Sequence, residues 1–354
     1  MKKKISILAL MFAIMLALAG CGGSDAKEAS GGGAGESKVA EVTIEKAEYI
    51  LAGDDGESEG EETGLLAVDL KVKNKSKSTI NVSSYDGVYL YDGDEQLSPE
   101  KSVYARGIDL KDGGSSDIGA GKVKTIPFYF NVEKDKKYEI GVKPRLSEPG
   151  EEADEIMLGL DTKKYAESFD EIQDPAKALT AYIDVIYLGK DNSDYEKLVT
   201  ADKEDVQETA KSKFKKQLDL SLPDMVTDAD IDKYYSSYKT VLGEKAEVQT
   251  KTTAKAGDKA VVKLDYSTVS TDDLYDKLYN YQKEYRENTG GYDTEKEKQY
   301  ALSKFDTVVQ SLEVAKSQNG AEISMIKKDG KWTVNTSDHY SDYLVRAFAE
   351  GRAY

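Results

Sequence analysis

Reactive side chains are scarce in this chain. It holds one cysteine and one histidine among 354 residues. An intrachain disulfide and a cysteine-based zinc or iron–sulfur site are therefore excluded, and little remains for histidine-based metal or triad chemistry. Positive charge is also short, with Lys+Arg at 49 against Asp+Glu at 66 and a net charge of −17. General nucleic-acid binding needs a basic surface to meet phosphates, so that class is excluded too. The apolar run at the amino terminus, Ile5 to Leu18, has 14 residues and is broken only by Ser6. A membrane-spanning helix needs about 20, so this run is too short to stay as a span. What is present suits globular folding: 39% hydrophobic and 32% charged residues, in a length that fits roughly two domains.

The amino terminus reads as an address. Met1-Lys2-Lys3-Lys4 is a positive leader, and the apolar run behind it has the length of a signal-peptide core. Leu18-Ala19-Gly20-Cys21 follows. This segment resembles the bacterial lipobox, with small residues before an obligatory cysteine. The resemblance implies cleavage between Gly20 and Cys21, a diacylglycerol on the Cys21 thiol and an acyl chain such as palmitate on the new amino group. Each buried methylene stabilises membrane association by about 0.8 kcal/mol, and two chains hold where one exchanges. Loss of residues 1–20, with three lysines and no acid, leaves a mature charge of −20. Anionic headgroups repel such a surface, so attachment through the lipid is expected to carry the whole load.

Residues 22–38 are Gly, Ser and Ala with scattered charge, and they read as a flexible tether spanning roughly 20–25 Å. From Val39 the pattern has period two. Leu66, Val68, Leu70 and Val72 alternate with polar positions, as do Ile126, Phe128, Phe130 and Val132, then Tyr138, Ile140 and Val142, and Val88 with Leu90. Each is a half-buried strand. Val42 and Ile44 share one parity and Tyr49 and Leu51 the other, which predicts a bulge near Glu45–Glu48. Pro127 cannot donate to a ladder and marks an edge. Short strands with frequent turns make a β-sandwich. The pattern Leu66-Ala-Val-Asp-Leu-Lys-Val-Lys-Asn74, then Ile80-Asn-Val82, then Val88-Tyr-Leu-Tyr-Asp-Gly93 resembles the immunoglobulin-like domains of Firmicutes lipoproteins. That resemblance implies a binding or spacer module without catalysis.

Residues 147–170 read as a hinge, in which Ile156-Met157-Leu158 is either a last strand of the sandwich or an interface segment. Helices are then predicted from Asp174 as N-cap to Gly189, from Asp202 to Pro223, from Asp228 through Leu242, over about 271–287 and 293–318, and from Ser337 as N-cap to Gly351. The strands Ala246–Thr252 and Ala260–Tyr266 turn at Gly257-Asp258. A hairpin around Asp329-Gly330 joins Ile323–Ile326 to Trp332–Val334. The opening Asp174-Pro175-x-x-Ala178-Leu179 and the closing Lys328-Asp-Gly-Lys-Trp-Thr-Val334 resemble nuclear transport factor two-like lipoprotein domains of unknown function. There a helical layer packs into a curved antiparallel sheet around a conical pocket. This chain departs from that pattern: only four clear strands are visible, and about 50 helical residues interrupt them.

Candidate sites are few. Ser337-Asp338-His339 places triad-type groups side by side, but neighbours on one helical turn do not converge, and a surface histidine is the simpler reading. The acidic loops Asp54–Glu62, Asp92–Glu95 and Asp109–Asp117 lack the alternation and distant glutamate of a calcium loop and read as solvated turns. Ten of the 24 tyrosines lie between Tyr234 and Tyr300. On the helix near 271–287, Leu274, Leu278, Tyr281 and Tyr285 form a core stripe, whereas Tyr275 and Tyr279 flank it as a candidate binding pair for sugars or peptides.

The expectation is a multi-domain chain, an all-β immunoglobulin-like sandwich followed by an α+β domain. Its divisions are a signal peptide (1–20), the lipidated cysteine with its linker (21–38), the sandwich (39–168) and the α+β domain (169–354). It is expected to be a non-enzymatic lipoprotein, lipid-anchored on the extracytoplasmic face of the cell membrane, with no cofactor or metal and no nucleic-acid partner. It would bind an envelope glycan, peptide or protein. Two rivals stand: a transporter's solute-binding lipoprotein, which would alternate strands and helices in two parallel-sheet lobes, and an envelope hydrolase using a carboxylate pair.

Overall fold

The computed structural model describes residues 33–53, 62–111, 113–147, 153–221, 226–338 and 340–353. Gly20, Cys21, the signal peptide, the loop 54–61 and His339 lie outside the described residues. No helix among the described residues is long and apolar enough to cross a membrane.

The first part is built from β1 (Ala34–Glu36), β2 (Ala40–Ile50), β3 (Thr63–Asn74), β4 (Ile80–Ser83), β5 (Val88–Asp92), β6 (Glu95–Leu97), β7 (Ser115–Ile118), β8 (Val123–Glu133), β9 (Lys137–Val142), β10 (Arg145–Leu146) and β11 (Ile156–Asp161). These form antiparallel sheets in the orders β1-β2-β3-β8, β10-β4-β7 and β11-β9-β5-β6. The alternation dictates the packing. Leu66, Val68, Leu70 and Val72 of β3 meet Phe128 and Phe130 of β8, and Val88, Leu90, Ile140, Val142 and Leu158 from the facing sheet, in one buried cluster. The register slips between Ile44 and Lys46, the bulge that the change of parity implies. Glu45 is the extra residue, and its carboxylate accepts from Lys71 Nζ and Thr125 Oγ1. Pro127 sits in β8, the edge strand of its sheet. Ile156–Leu158 belong to β11 and close the sandwich against β9.

The tether is shorter than its composition implies. Ala34–Glu36 pairs with β2, inside the span expected to be flexible. A Cβ on Gly33 would lie 2.4 Å from the Gly159 oxygen, and one on Gly35 would lie 2.8 Å from the Met157 oxygen. The glycines allow backbone to approach backbone, a second use of glycine that composition cannot separate from flexibility.

The sandwich gives way to a 3-10 turn (Thr162–Tyr165) and α1 (Ala166–Asp170). Phe169 meets the edge of Tyr49 at 5.0 Å between centroids, and Ile172 packs on the sandwich core. The division expected at 168/169 therefore cuts α1, and the second core begins at Ala176.

That core gathers α2 (Asp174–Ile183), α3 (Tyr195–Leu198), α4 (Lys203–Ser221), α5 (Asp228–Lys245), β12 (Val248–Ala256), β13 (Lys259–Val269), α6 (Leu274–Thr289), α7 (Thr294–Ser303), α8 (Phe305–Gln310), β14 (Val314–Lys316), β15 (Ala321–Lys328), β16 (Lys331–Val334) and α9 (Tyr343–Phe348). The sheet runs β12-β13-β15-β16, with β14 also on β13. Asp174 is the first helical residue rather than the cap and pairs with Lys177 at 2.8 Å. Thr227 caps α5, its side chain accepting from the Asp230 amide.

Two helices are shorter than expected. The helix predicted over 293–318 breaks at Lys304 and ends at Gln310, because residues 314–316 complete the edge of β13 instead. The last helix starts at Tyr343, not Ser337. Asn335 and Asp338 take the amides of Ser337 and Tyr340 with their side chains, which holds the backbone in turns. Where the resemblance implied a conical pocket, the space between helices and sheet is packed with rings. Tyr187, Phe214, Tyr238 and Phe348 are all essentially unexposed. Burial raises the Tyr187 hydroxyl well above the usual phenol range.

The two parts touch. Ala105 and Ile108 of a sandwich loop are buried against Ala254 and Val261 of the second sheet, and Leu51 bridges to Lys255. Lys255 is 4% exposed. Its burial lowers the ammonium pKa, and the facing Glu48 and Glu171 oppose that shift.

Candidate functional site

Helix α6 presents the tyrosine pair as the spacing requires. Leu274 and Leu278 point into the core, and a step of one residue carries Tyr275 and Tyr279 onto the next face, four apart and adjacent. Their rings are 6.0 Å apart at 10° and 50% and 41% exposed. The stripe that backs them departs from expectation. Gln282 is buried, while Tyr281 and Tyr285 are half-buried and pack on Tyr300 of α7.

The pair extends into a longer strip through residues that the sequence reading did not single out. Arg286, one further turn of the helix beyond Gln282, lies 4.6 Å from the ring centre of Tyr292. Tyr292 is 78% exposed. Gly290, at φ 63°, ends α6 in the left-handed region and turns the chain back along α7. That return brings Glu297 under Arg286. Nε donates to Oε1 at 3.1 Å and Nη2 to Oε2 at 2.7 Å, a two-pronged pair that locks the guanidinium plane. The Glu297 side chain is 1% exposed. Tyr275, Tyr279, Arg286 and Tyr292 thus make one outward face whose third member cannot swing. Arg286, seven residues beyond Tyr279, carries the helical spacing that could have marked it as part of this face. Tyr292 and Glu297 lie past the double glycine, where helical spacing gives no signal.

The Arg286 bonds hold the Glu297 carboxyl below its ordinary value of 4.5. A carboxylate stabilised in the fold contributes stability above its unfolded value and loses it as pH falls through the lowered one. Glu297→Gln is therefore expected to melt below the parent at neutral pH, and the difference should shrink as pH falls beneath about 4.5. Melting curves at several pH values check this; a difference independent of pH contradicts it.

Elsewhere the acidic loops find structural partners. Asp92 sits 2.7 Å from Lys136 Nζ, Gly93 adopts φ 61° in the turn, and Asp117 accepts from Asn81. No three His, Cys, Asp or Glu side chains gather as a metal group among the described residues.

Comparison with known proteins follows the same division. Residues 165–349 match the domain of unknown function DUF5105, and residues 34–151 match the domain of unknown function DUF4352. The chain belongs to the DUF5105 family. It is 29% identical over 357 residues to the uncharacterised lipoprotein YcdA of Bacillus subtilis strain 168, covering 98% of this chain and 99% of that one. The crystal structure of YcdA superposes with a TM-score of 0.62 over 91% of this chain and 99% of its own. A lipoprotein of Staphylococcus aureus, 15% identical, covers 40% of this chain and 94% of its own at a TM-score of 0.23. The kinship read from the sequence, with an uncharacterised lipoprotein of a Firmicute, is what the match to YcdA shows. The order of a β-rich sandwich and then an α+β part holds along the DUF5105 chain.

Proposed function

We propose that this chain is a membrane-anchored extracytoplasmic lipoprotein, cleaved between Gly20 and Cys21 and held by lipid on Cys21, whose role is non-enzymatic binding of an envelope glycan. Kinship with YcdA supports the anchor. The observation that carries the binding role is the Tyr275–Tyr279 pair, two near-parallel rings left in solvent on a rigid helix. Exposed tyrosines give contact area at low entropy cost and stack on the apolar face of a sugar. The locked guanidinium of Arg286 extends the platform with donors. Every pairing between the named strands is antiparallel, which supports this reading over a solute binder of two parallel-sheet lobes.

Sedimentation of the full chain in detergent with purified wall glycan tests the reading. Tyr275→Ala with Tyr279→Ala is expected to weaken retention about fivefold or more. Melting should change little, because both rings are exposed. Equal retention of the folded double variant overturns the glycan role of this face, and loss of binding to a peptide probe alone would assign the face to peptides instead.

A further inference from the structure

The dimensions of the α6 strip select the kind of glycan it can hold, granted the glycan role proposed for it. Tyr275, Tyr279 and Arg286 fall within about 40° of one another around the helix. They therefore lie on a line parallel to its axis, about 16 Å long from Tyr275 to Arg286 at 1.5 Å per residue. The tyrosine pair sets a step along that line, 6.0 Å between ring centres. Arg286 stands almost two such steps beyond Tyr279. The reversal after Gly290 then lays Tyr292 against the guanidinium, 4.6 Å from its centre, and gives the far end a ring of its own.

Two further properties narrow the occupant. All three rings stand in solvent on the convex side of a helix, a shape that cannot close around the end of a chain. A ring inside a polymer offers such a face the same apolar side as a terminal one. The charges along the strip are also matched. Glu297 engages Arg286 from below with both carboxylate oxygens. Lys283 of α6 lies 3.8 Å from Glu287, and Lys296 of α7 lies 2.9 Å from Asp293. A polyanion would thus meet cations already engaged, on a body whose net charge of −17 repels it.

We propose that the strip binds an uncharged internal run of a linear glycan, about four rings long at the 6.0 Å step, and neither a chain end nor a polyanion. Tyr275 and Tyr279 take two neighbouring rings on their faces, and Tyr292 takes the last. Arg286 serves the rings between them. Its Nη1 has no part in the Glu297 pair and donates to sugar oxygens. The locked guanidinium keeps those donors in register with the tyrosines, so the ordering cost falls on the glycan alone.

Calorimetric titration of the full chain in detergent tests the proposal. The probes are β-1,4-linked N-acetylglucosamine oligomers from the monosaccharide to the hexasaccharide, which are linear and uncharged. Affinity is expected to rise about threefold with each ring up to the tetrasaccharide and to level off beyond it. Tyr292→Ala should weaken the tetrasaccharide about threefold and leave the disaccharide, seated on Tyr275 and Tyr279, unchanged. Its melting should not move, because the ring is exposed. Opening the end ring of the hexasaccharide by borohydride reduction should cost nothing, and added salt should not weaken binding. Hyaluronan oligomers of equal length, with a carboxylate on alternate rings, should bind more weakly. Affinity independent of length, loss on opening the end ring, stronger binding of hyaluronan, or an undiminished tetrasaccharide in the folded variant overturns this proposal alone, provided that wall glycan still sediments with the chain. Failure of the oligomers and of wall glycan alike overturns the glycan role and this proposal with it.

Discussion

Cys21→Ala is expected to remove the chain from the membrane fraction almost completely, either as released protein or as a precursor that still carries residues 1–20. Three physical terms combine. The mature body would carry −20, so anionic headgroups repel it. No helix among the described residues is long and apolar enough to span. Lipid on the thiol would contribute about 0.8 kcal/mol per buried methylene, and a second chain turns a reversible contact into stable anchoring. With the thiol gone, the lipid has no attachment atom. Fractionation with immunoblotting reads the outcome, and mass spectrometry of the mature amino terminus reads the modification. Unchanged membrane retention with normal cleavage at Gly20 would contradict the anchor.

The largest stability effect is expected at Trp332. This is the one tryptophan of the chain, 1% exposed, in the four-residue strand β16 at the end of the sheet. Its carbonyl accepts from the Thr200 amide at 2.9 Å, which stitches the end of α3 to the sheet. Lys327 Nζ lies 5.8 Å from its ring centre. Alanine keeps the backbone bond and deletes the ring, leaving a void that a rigid sheet closes poorly. Removal of a buried aromatic side chain costs about 3–5 kcal/mol. For a unit of this size that corresponds to a fall of roughly 6–20 °C in melting temperature. Trp332→Phe should recover a large part of the loss. Because the substitution removes the intrinsic fluorophore, circular dichroism is the measurement. A fall of less than about 3 °C would mean that the ring is not packed as described.

Particular residues show how far the one-dimensional pattern reached. Leu66 to Val72 and Ile126 to Val132 were legible as strands because one face of each is wet, so period two survives in the composition. Pro127 at an edge and the bulge at Glu45 follow from single-residue rules, a missing donor and a change of parity. Asp329-Gly330 gave its hairpin because the turn demands positive φ at both positions, and both show it, at 50° and 80°. Gly33 and Gly35 misled, since backbone contact and flexibility share a composition. Residues 314–316 read as helix because their sheet partner, Ser267–Val269, lies some fifty residues upstream.

Of the candidate sites, Tyr275 and Tyr279 were visible because helical spacing is local. The locking of Arg286 by Glu297 and the placing of Tyr292 needed the reversal after Gly290. The docked sandwich loop is the extreme case: Ala105 and Ile108 meet Ala254 and Val261 from a distant stretch of the chain, and none stands out in its own neighbourhood.

Local chemistry alone therefore specified the excess of acid, the two fold classes in order and the exposed tyrosine pair, since each depends on composition or on residues within a turn or a strand. Docking of the sandwich loop, the locking of Arg286 and the filled interior of the C-terminal part depended on packing between segments apart in the chain. Those are properties of three-dimensional contact, and no stretch of the chain encodes them separately.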